Sequence, residues 1–250
     1  MTRSESARQF DRTVRHLRRD PSYKPTYSAW PATVPAVSQL LRNGLELPAG
    51  LTVFVGENGS GKSTLVELIA EAYGLNPQGG SQSAHYKSRS TEPGLGRHLI
   101  VERSAVRPHW SYFIRADTTH GLYSYLEENP SSRNPEPIYH EMSHGEGFLS
   151  LLSTKVNQAG FYLLDEPDAA LSFTSSLGLV AILRDLVAAG SQIIVATHSP
   201  IIAATPDATI LELGSGGIHE VGWSELELVT SWRSFLSDPT SYFRHLLDAE

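Results

Sequence analysis

One eight-residue segment constrains the fold of this chain more than any other part of the sequence. Residues 56–63 read Gly-Glu-Asn-Gly-Ser-Gly-Lys-Ser and satisfy the pattern G-x-x-x-x-G-K-[ST]. The apolar run 51–55 precedes the segment, and a pattern typical of a helix, with apolar residues on one face, follows from residue 61 to 73. A strand, a glycine-rich turn and a helix in this order bind a phosphate chain, because backbone N–H groups and the helix N-terminus point at it.

The residue types in this segment predict how ATP and Mg²⁺ bind. Lys62 is expected to reach the β- and γ-phosphates, and the hydroxyl of Ser63 is expected to join the shell of Mg²⁺. The predicted nucleotide-binding residues here are Gly56, Glu57, Asn58, Gly59, Ser60, Gly61, Lys62, Ser63 and Thr64.

Two further apolar runs end in polar residues that suit the same site. The run 161–164 leads into Asp165 and Glu166, and the run 192–196 leads into His198. At the carboxyl end of a parallel strand, Asp165 is expected to hold Mg²⁺ directly or through water. Side chains alternate along a strand, so Glu166 is free to orient or deprotonate the attacking water, and His198 is expected to reach the γ-phosphate or that water.

The order of the predicted elements favours an α/β fold. Strands alternate with helices after residue 50, which indicates a mainly parallel central sheet flanked by helices. The runs 98–103 and 110–116 are predicted to pair as a hairpin, and so are 209–213 and 218–221.

The basic segment 1–22 carries arginines at helical spacing. This pattern predicts a solvated helix face, a frayed terminus, or a contact with nucleic acid or an acidic partner. These arginines are Arg8, Arg12, Arg15 and Arg19.

The motifs together resemble those of the ATP-binding cassette (ABC) ATPases. The order is that of the family: the P-loop, a signature segment at 142–146, the Asp165-Glu166 strand end, a D-loop at 168–172 and the switch histidine His198. Residues 163–172 resemble the soluble branch that includes RecF-type and SMC-type ATPases. Segments 56–64, 143–146, 165–172 and 196–200 resemble more closely still the small stand-alone bacterial AAA-family ATPases.

The resemblance implies an ABC-type P-loop NTPase with an antiparallel β segment and a small helical lobe. We expect a basic segment over 1–22 and one ATPase domain over 23–250, with the lobe at about 76–158. It further implies that two copies pair head to tail when ATP binds, and that Ser143 and Gly145 of one copy close over the γ-phosphate held by the other.

The resemblance also suggests further contacts with the nucleotide. Gln82 is the preferred Q-loop glutamine and Gln78 is the other candidate. Arg115 either meets phosphate or forms a surface ion pair. The aromatic residues that precede the P-loop and are candidates to stack on adenine are Tyr23, Tyr27 and Trp30.

The signature segment departs from the common Leu-Ser-Gly-Gly-Gln. Met142 replaces the leucine, His144 replaces the first glycine and Glu146 replaces the glutamine, while Ser143 and Gly145 remain. Ser143 followed by Glu146 is also the pattern of a capping box at a helix N-terminus.

These observations lead to one expected function and two alternatives. We expect a cytoplasmic ATPase that hydrolyses ATP and acts as a nucleotide-driven dimerisation switch on DNA or an effector protein. The net charge of −7 is unlike that of a general nucleic-acid coat protein, and no apolar run reaches the roughly 20 residues that cross a bilayer. The alternatives are the nucleotide-binding subunit of an ABC transporter and a regulatory module that binds ATP without hydrolysing it.

Overall fold

The structure is a computed structural model that describes residues 12–81, 94–105, 108, 110–128, 137–169 and 171–247. The strands are β1 (Val14–Arg19), β2 (Leu45–Glu46), β3 (Leu51–Val55), β4 (Leu99–Arg103), β5 (Trp110–Arg115), β6 (Gly160–Asp165), β7 (Gln192–Thr197), β8 (Thr209–Gly214) and β9 (Gly217–Glu220). The helices are α1 (Pro35–Asn43), α2 (Lys62–Tyr73), α3 (Thr119–Glu128), α4 (His144–Lys155), α5 (Phe173–Ala188), α6 (Pro200–Ala203), α7 (Glu227–Ser237) and α8 (Pro239–Leu247). Within these ranges, none of the helices has the length and apolar character needed to cross a membrane.

A six-stranded sheet in the order β5-β6-β7-β3-β8-β9 forms the centre of the molecule. All its neighbouring strands are parallel except β8 and β9, which form the predicted hairpin. Alternate residues of the inner strands enter two apolar clusters, so that Phe54 and Ile194 lie in one and Val53 and Val195 in the other. Helices therefore cover both faces, as the apolar runs predicted, and the α/β class is confirmed.

The second sheet is antiparallel and has the order β2-β1-β4. Its middle strand, Val14–Arg19, corrects the prediction of a helix in this region: the arginines have helical spacing, but the inward residues Val14 and Leu17 pack between β2, β4 and the core. The sheet also shows that the predicted hairpin of 98–103 with 110–116 is wrong. β4 pairs with β1, whereas β5 pairs with β6, because Phe113 and Ile114 are buried on opposite faces of the central sheet.

Between β5 and β6 lie two helices that pack around a pair of stacked tyrosines. The ring centroids of Tyr123 on α3 and Tyr139 are 4.8 Å apart, with the planes nearly parallel. α4 begins after Ser143, whose hydroxyl accepts a hydrogen bond from the backbone N–H of Glu146 while the Glu146 carboxylate accepts one from the Ser143 N–H. The predicted capping box is confirmed, and it fixes where the signature segment becomes helical.

Candidate nucleotide-binding site

The turn between β3 and α2 depends on glycines for its tight curvature. Gly61 has φ +97°, and a Cβ there would lie 2.4 Å from Val34 Cγ1. A Cβ on Gly56 would lie 2.2 Å from the carbonyl oxygen of Leu213 on the neighbouring strand β8. Both positions exclude larger residues, so the loop backbone curls between β8 and the segment before α1.

Lys62 lies at the start of α2, with its ammonium group inside the loop. Its Nζ donates hydrogen bonds to the carbonyl oxygens of Gly56 (2.8 Å) and Glu57 (3.1 Å), and the residue is buried. Burial lowers the pKa of Lys62, against the opposing attraction of the Glu166 and Asp165 carboxylates. A buried cation held by two carbonyl groups is preorganised to receive an anion.

A hydroxyl and a carboxylate meet beside Lys62 and form a set of oxygen donors. The Ser63 hydroxyl donates to Asp165 Oδ1 at 3.0 Å, across the gap between α2 and the end of β6. Hard oxygen ligands of this kind are those that Mg²⁺ prefers, so the residues present fit that ion. Burial raises the pKa of Asp165 to about 6, against the lowering effects of the Arg115 guanidinium and the Ser63 hydrogen bond.

The raised pKa of Asp165 predicts that the ionised carboxylate destabilises the fold when no cation is bound. The carboxyl binds its proton more tightly in the folded chain than at its ordinary pKa of 3.8. The favourable contribution of the protonated group is therefore present below about pH 4 and lost as the pH rises through about 6. We expect Asp165→Asn, at pH 8 in EDTA, to raise the free energy of unfolding by about 2 kcal/mol.

Thermal unfolding of both proteins at pH 8 and at pH 4 tests the expected effect of Asp165→Asn. The variant should melt several degrees higher than the wild type at pH 8, and the difference should shrink at pH 4. A variant that melts lower than the wild type at pH 8 would contradict the assignment of Asp165 as a group destabilised by burial.

Glu166 and His198 face each other across the ends of β6 and β7. Glu166 Oε1 is 3.7 Å from His198 Nε2, and the Glu166 N–H donates to the carbonyl of Ala196 at 2.8 Å. Glu166 has φ +52°, a left-handed conformation that a non-glycine residue rarely adopts and that is often found at functional sites. His198 Nε2 and Ser60 Oγ are buried and have no hydrogen-bond partner among the described residues. Because buried polar atoms normally have a hydrogen-bond partner, these two atoms suit a polar ligand bound at the loop.

Two hollows border the phosphate loop. The smaller, of about 200 Å³, is lined by Trp30, Val34, the loop residues 58–59 and 61–64, and Glu166. The larger, of about 470 Å³, lies between residues 56–60 and the β8–β9 hairpin, and carboxylates of Glu57, Glu212 and Glu227 line it. A triphosphate carries several negative charges, so the smaller hollow with Lys62 and Ser63 is the better match.

The three aromatic candidates for stacking on adenine have different surroundings. Tyr23 stacks on His98 with ring centroids 4.1 Å apart, and Tyr27 has the Arg42 guanidinium 4.3 Å from its ring centre. Trp30 is 54% exposed and lines both the loop hollow and a small neighbouring one with Thr64 and Glu67. Only Trp30 of the three offers a free ring face beside the phosphate loop.

The signature residues lie apart from the loop within one chain. Ser143 and Gly145 are at the N-terminus of α4, and neither lines the two hollows described above. Ser143 Oγ donates to Glu146 Oε2 at 2.7 Å, so its hydroxyl is held by its own helix. Gln82, the preferred Q-loop residue, lies outside the described residues.

Arg115 is buried, which excludes the surface ion pair expected as one alternative. It ends β5 and forms ion pairs with Glu67 of α2 and with Asp117. Sequence reasoning missed both acidic partners, although Glu67 carries a signal: it follows Ser63 by four residues on a helix, which places the two on one face.

Comparison with known proteins identifies the family of the chain. A family model described as ABC transporter matches residues 44–169, half of the 250-residue chain. The cytochrome c biogenesis ATP-binding export protein CcmA of Rhodopseudomonas palustris (strain HaA2) is 27% identical over 165 residues, covering 62% of this chain and 82% of that protein. CcmA of Rhodospirillum rubrum is 30% identical over 186 residues, covering 66% and 75%. The SMC head domain from Thermotoga maritima aligns with 71% of this chain and 92% of that one, at 17% identity and a TM-score of 0.41.

Proposed function

Because the chain belongs to the ABC transporter family of ATP-binding domains, and is therefore an ATP-binding ATPase, we propose that it drives a membrane-bound export partner through ATP-dependent dimerisation. The observation that carries the ATPase chemistry is the meeting of Lys62, Ser63, Asp165, Glu166 and His198 at the ends of three adjacent strands. The names of the relatives, ATP-binding export proteins, support the export partner.

Each side chain has a proposed task in hydrolysis. Lys62 holds the β- and γ-phosphates, and Ser63 and Asp165 hold Mg²⁺, which stabilises charge on the transferred phosphoryl group when bound. Glu166 accepts a hydrogen bond from the attacking water and takes its proton, and His198 donates to the γ-phosphate. Because Glu166 Oε1 and His198 Nε2 are 3.7 Å apart, Glu166 can bind a water molecule beside the phosphate oxygen to which His198 donates.

The site is proposed to be completed by a second copy of the chain. Lys62 and Ser63 lie on one side of the phosphates, whereas Ser143 and Gly145, the remaining donors, are not at the loop of their own chain. A head-to-tail pair with two-fold symmetry brings the α4 N-terminus of each copy over the γ-phosphate of the other. Hydrolysis then removes the group that joins the copies, and the pair opens.

The partner is tested by capture from membranes. A tagged Glu166→Gln chain, loaded with ATP and Mg²⁺, is mixed with detergent-solubilised membranes from the cells that produce the protein. An integral membrane protein retained with ATP but not with Lys62→Ala supports the export assembly. Retention of soluble proteins alone would contradict it. The proposed location is the cytoplasmic face of the membrane, where ATP is available.

A second candidate, the switch acting on DNA or an effector protein, rests on residues 163–172, which resemble the soluble branch. The relatives favour the exporter instead. Duplex DNA that raises ATP turnover, with binding that weakens steeply as salt increases, would favour this second candidate. The third reading, a module that does not hydrolyse ATP, has no support because Lys62, Asp165, Glu166 and His198 are all present.

Trp30 is proposed to stack on the adenine ring. We expect Trp30→Ala to weaken ATP and ADP binding equally, by about fivefold to tenfold, because stacking on an exposed ring contributes about 1 kcal/mol and both nucleotides share the base. The turnover number should be unchanged while KM rises. The matched control is Trp232→Ala, since Trp232 is similarly exposed (47%) on α7.

Nucleotide titration followed by tryptophan fluorescence measures this effect. ATP should quench the emission of the wild type and of Trp232→Ala, and the quench should disappear in Trp30→Ala. Equal affinities in Trp30→Ala and the wild type would show that the base lies elsewhere.

A further inference from the structure

Arg115 is a buried arginine in contact with the metal-binding end of β6. It is 9% exposed and stands at the last position of β5, directly opposite Asp165 in the parallel register of the two strands. Its Nε lies 3.8 Å from Asp165 Oδ2, while Asp165 Oδ1 accepts the hydrogen bond from Ser63. The two oxygens of Asp165 therefore face different partners, a hydroxyl on α2 and a guanidinium on β5.

The three nitrogens of Arg115 donate hydrogen bonds to the turn after β5, to α2 and to the segment that follows α2. Nε and Nη2 donate to the two carboxylate oxygens of Asp117, at 3.0 and 2.9 Å. Nη1 donates to the Glu67 carboxylate on α2 and to the carbonyl of Pro77 after that helix (3.2 Å). A planar guanidinium satisfies such a set of acceptors with fixed geometry, which an ammonium group cannot do.

The cluster carries an excess of negative charge, even though Lys62 also attracts the Asp165 carboxylate. One guanidinium faces three carboxylates, those of Glu67, Asp117 and Asp165. The Glu67 and Asp165 side chains are only 14% and 5% exposed, so water screens them weakly. Arg115 is the one cation that the structure places within 4 Å of all three among the described residues.

We propose that Arg115 is a positioning residue that holds the Asp165 carboxylate against Ser63 in the orientation that receives Mg²⁺. The inference rests on the proposed function, in which Mg²⁺ binds with ATP at Ser63 and Asp165. Arg115 does not touch the nucleotide: its three nitrogens are engaged by protein oxygens, and its effect passes through Asp165.

A purely structural role gives a different expectation. If Arg115 served only to neutralise buried Glu67, then replacing both residues with glutamine would remove the unpaired charge and restore every property. If Arg115 positions Asp165, the double replacement restores the stability of the fold and leaves Mg²⁺ binding impaired.

The experiment compares Arg115→Gln, Arg115→Lys and the double variant Glu67→Gln/Arg115→Gln with the wild type. The control is Arg103→Gln, because Arg103 also contacts α2, donating to the Tyr73 carbonyl at 2.8 Å. ATP affinity is measured by calorimetry in EDTA and again in saturating Mg²⁺, and thermal unfolding is measured without nucleotide.

We expect ATP affinity in EDTA to stay within about twofold of the wild type in all variants, because Lys62 and the loop are intact. The gain in affinity on adding Mg²⁺ should fall about tenfold in Arg115→Gln and in the double variant, and less in Arg115→Lys. The double variant should recover the melting temperature that Arg115→Gln loses, and Arg103→Gln should keep the full Mg²⁺ gain.

Two outcomes would overturn the inference: an undiminished Mg²⁺ gain in Arg115→Gln, or recovery of that gain in the double variant. If Arg115→Gln does not fold, the gain in ATP affinity on adding Mg²⁺ is judged from the double variant alone. Failure of the proposed function has a different signature, since wild-type protein would then bind ATP equally with and without Mg²⁺.

Discussion

Replacing Glu166 with glutamine is expected to lower the rate of ATP hydrolysis at least about 100-fold while ATP stays bound. The amide matches the carboxylate in size but cannot take a proton from water. The side chain is 43% exposed and its contact with His198 is a long one of 3.7 Å, so the change should leave the melting temperature close to that of the wild type.

Phosphate release under steady-state conditions measures this effect, with nucleotide affinity measured beside it. Glu220→Gln is the matched control, because Glu220 is an exposed carboxylate on β9 that lines neither hollow. If Glu166→Gln hydrolysed ATP within a few-fold of the wild-type rate, Glu166 would not be the base.

Replacing Lys62 with alanine is expected to weaken ATP binding about 100-fold, because the buried ammonium is the cation closest to the position of the phosphates. The fold should tolerate the change, since burial already disfavours the charged form of Lys62 and lowers its pKa. The alanine variant should therefore melt no lower than the wild type.

Equilibrium binding of a fluorescent ATP analogue tests this expectation, with Lys24→Ala as the control. Lys24 is exposed on the segment before α1 and contacts neither hollow. Unchanged affinity in Lys62→Ala would place the phosphates outside the loop. A variant that has lost both its affinity and its fold would show instead that Lys62 is structural.

The grouping of polar residues at the strand ends could be predicted from the sequence because it depends on short segments. A P-loop requires a strand before it and a helix after it, and apolar runs such as 161–164 indicate buried parallel strands. Parallel strands end at one edge of a sheet, so the pattern alone indicated that Asp165 and His198 would approach Lys62. The central sheet and the ABC family assignment are confirmed.

The errors fall where pairing between distant segments decides the structure. β1 carries arginines at helical spacing, yet it is a strand because its partners, residues 45–46 and 99–103, lie far along the chain. The same applies to the incorrect hairpin, since β5 finds its partner in β6 beyond both helices of the lobe. Local periodicity contains no information about such partners.

In the functional site, too, short motifs could be predicted from the sequence, whereas features set by tertiary packing could not. Sequence position could not separate Trp30 from Tyr23 and Tyr27, because all three precede the loop, and only packing leaves the Trp30 ring free. The cluster around Arg115 brings together residues from β5, α2 and the turn after β5, which no single motif contains. The soluble RecF-like and SMC-like branch remains a prediction, and the two CcmA relatives are named as ATP-binding export proteins.

The most direct test of the shared ATP site is the mass of Glu166→Gln in solution with ATP and Mg²⁺, measured by light scattering during gel filtration. The account predicts a dimer with ATP, twice the 27.4 kDa of one chain, and a monomer with ADP. Adding Ser143→Arg should abolish the dimer, whereas Ser153→Arg, at an exposed position on the same helix, should not. A nucleotide-loaded Glu166→Gln protein that stays monomeric, or a dimer that Ser143→Arg leaves intact, would contradict an ATP site shared between two copies.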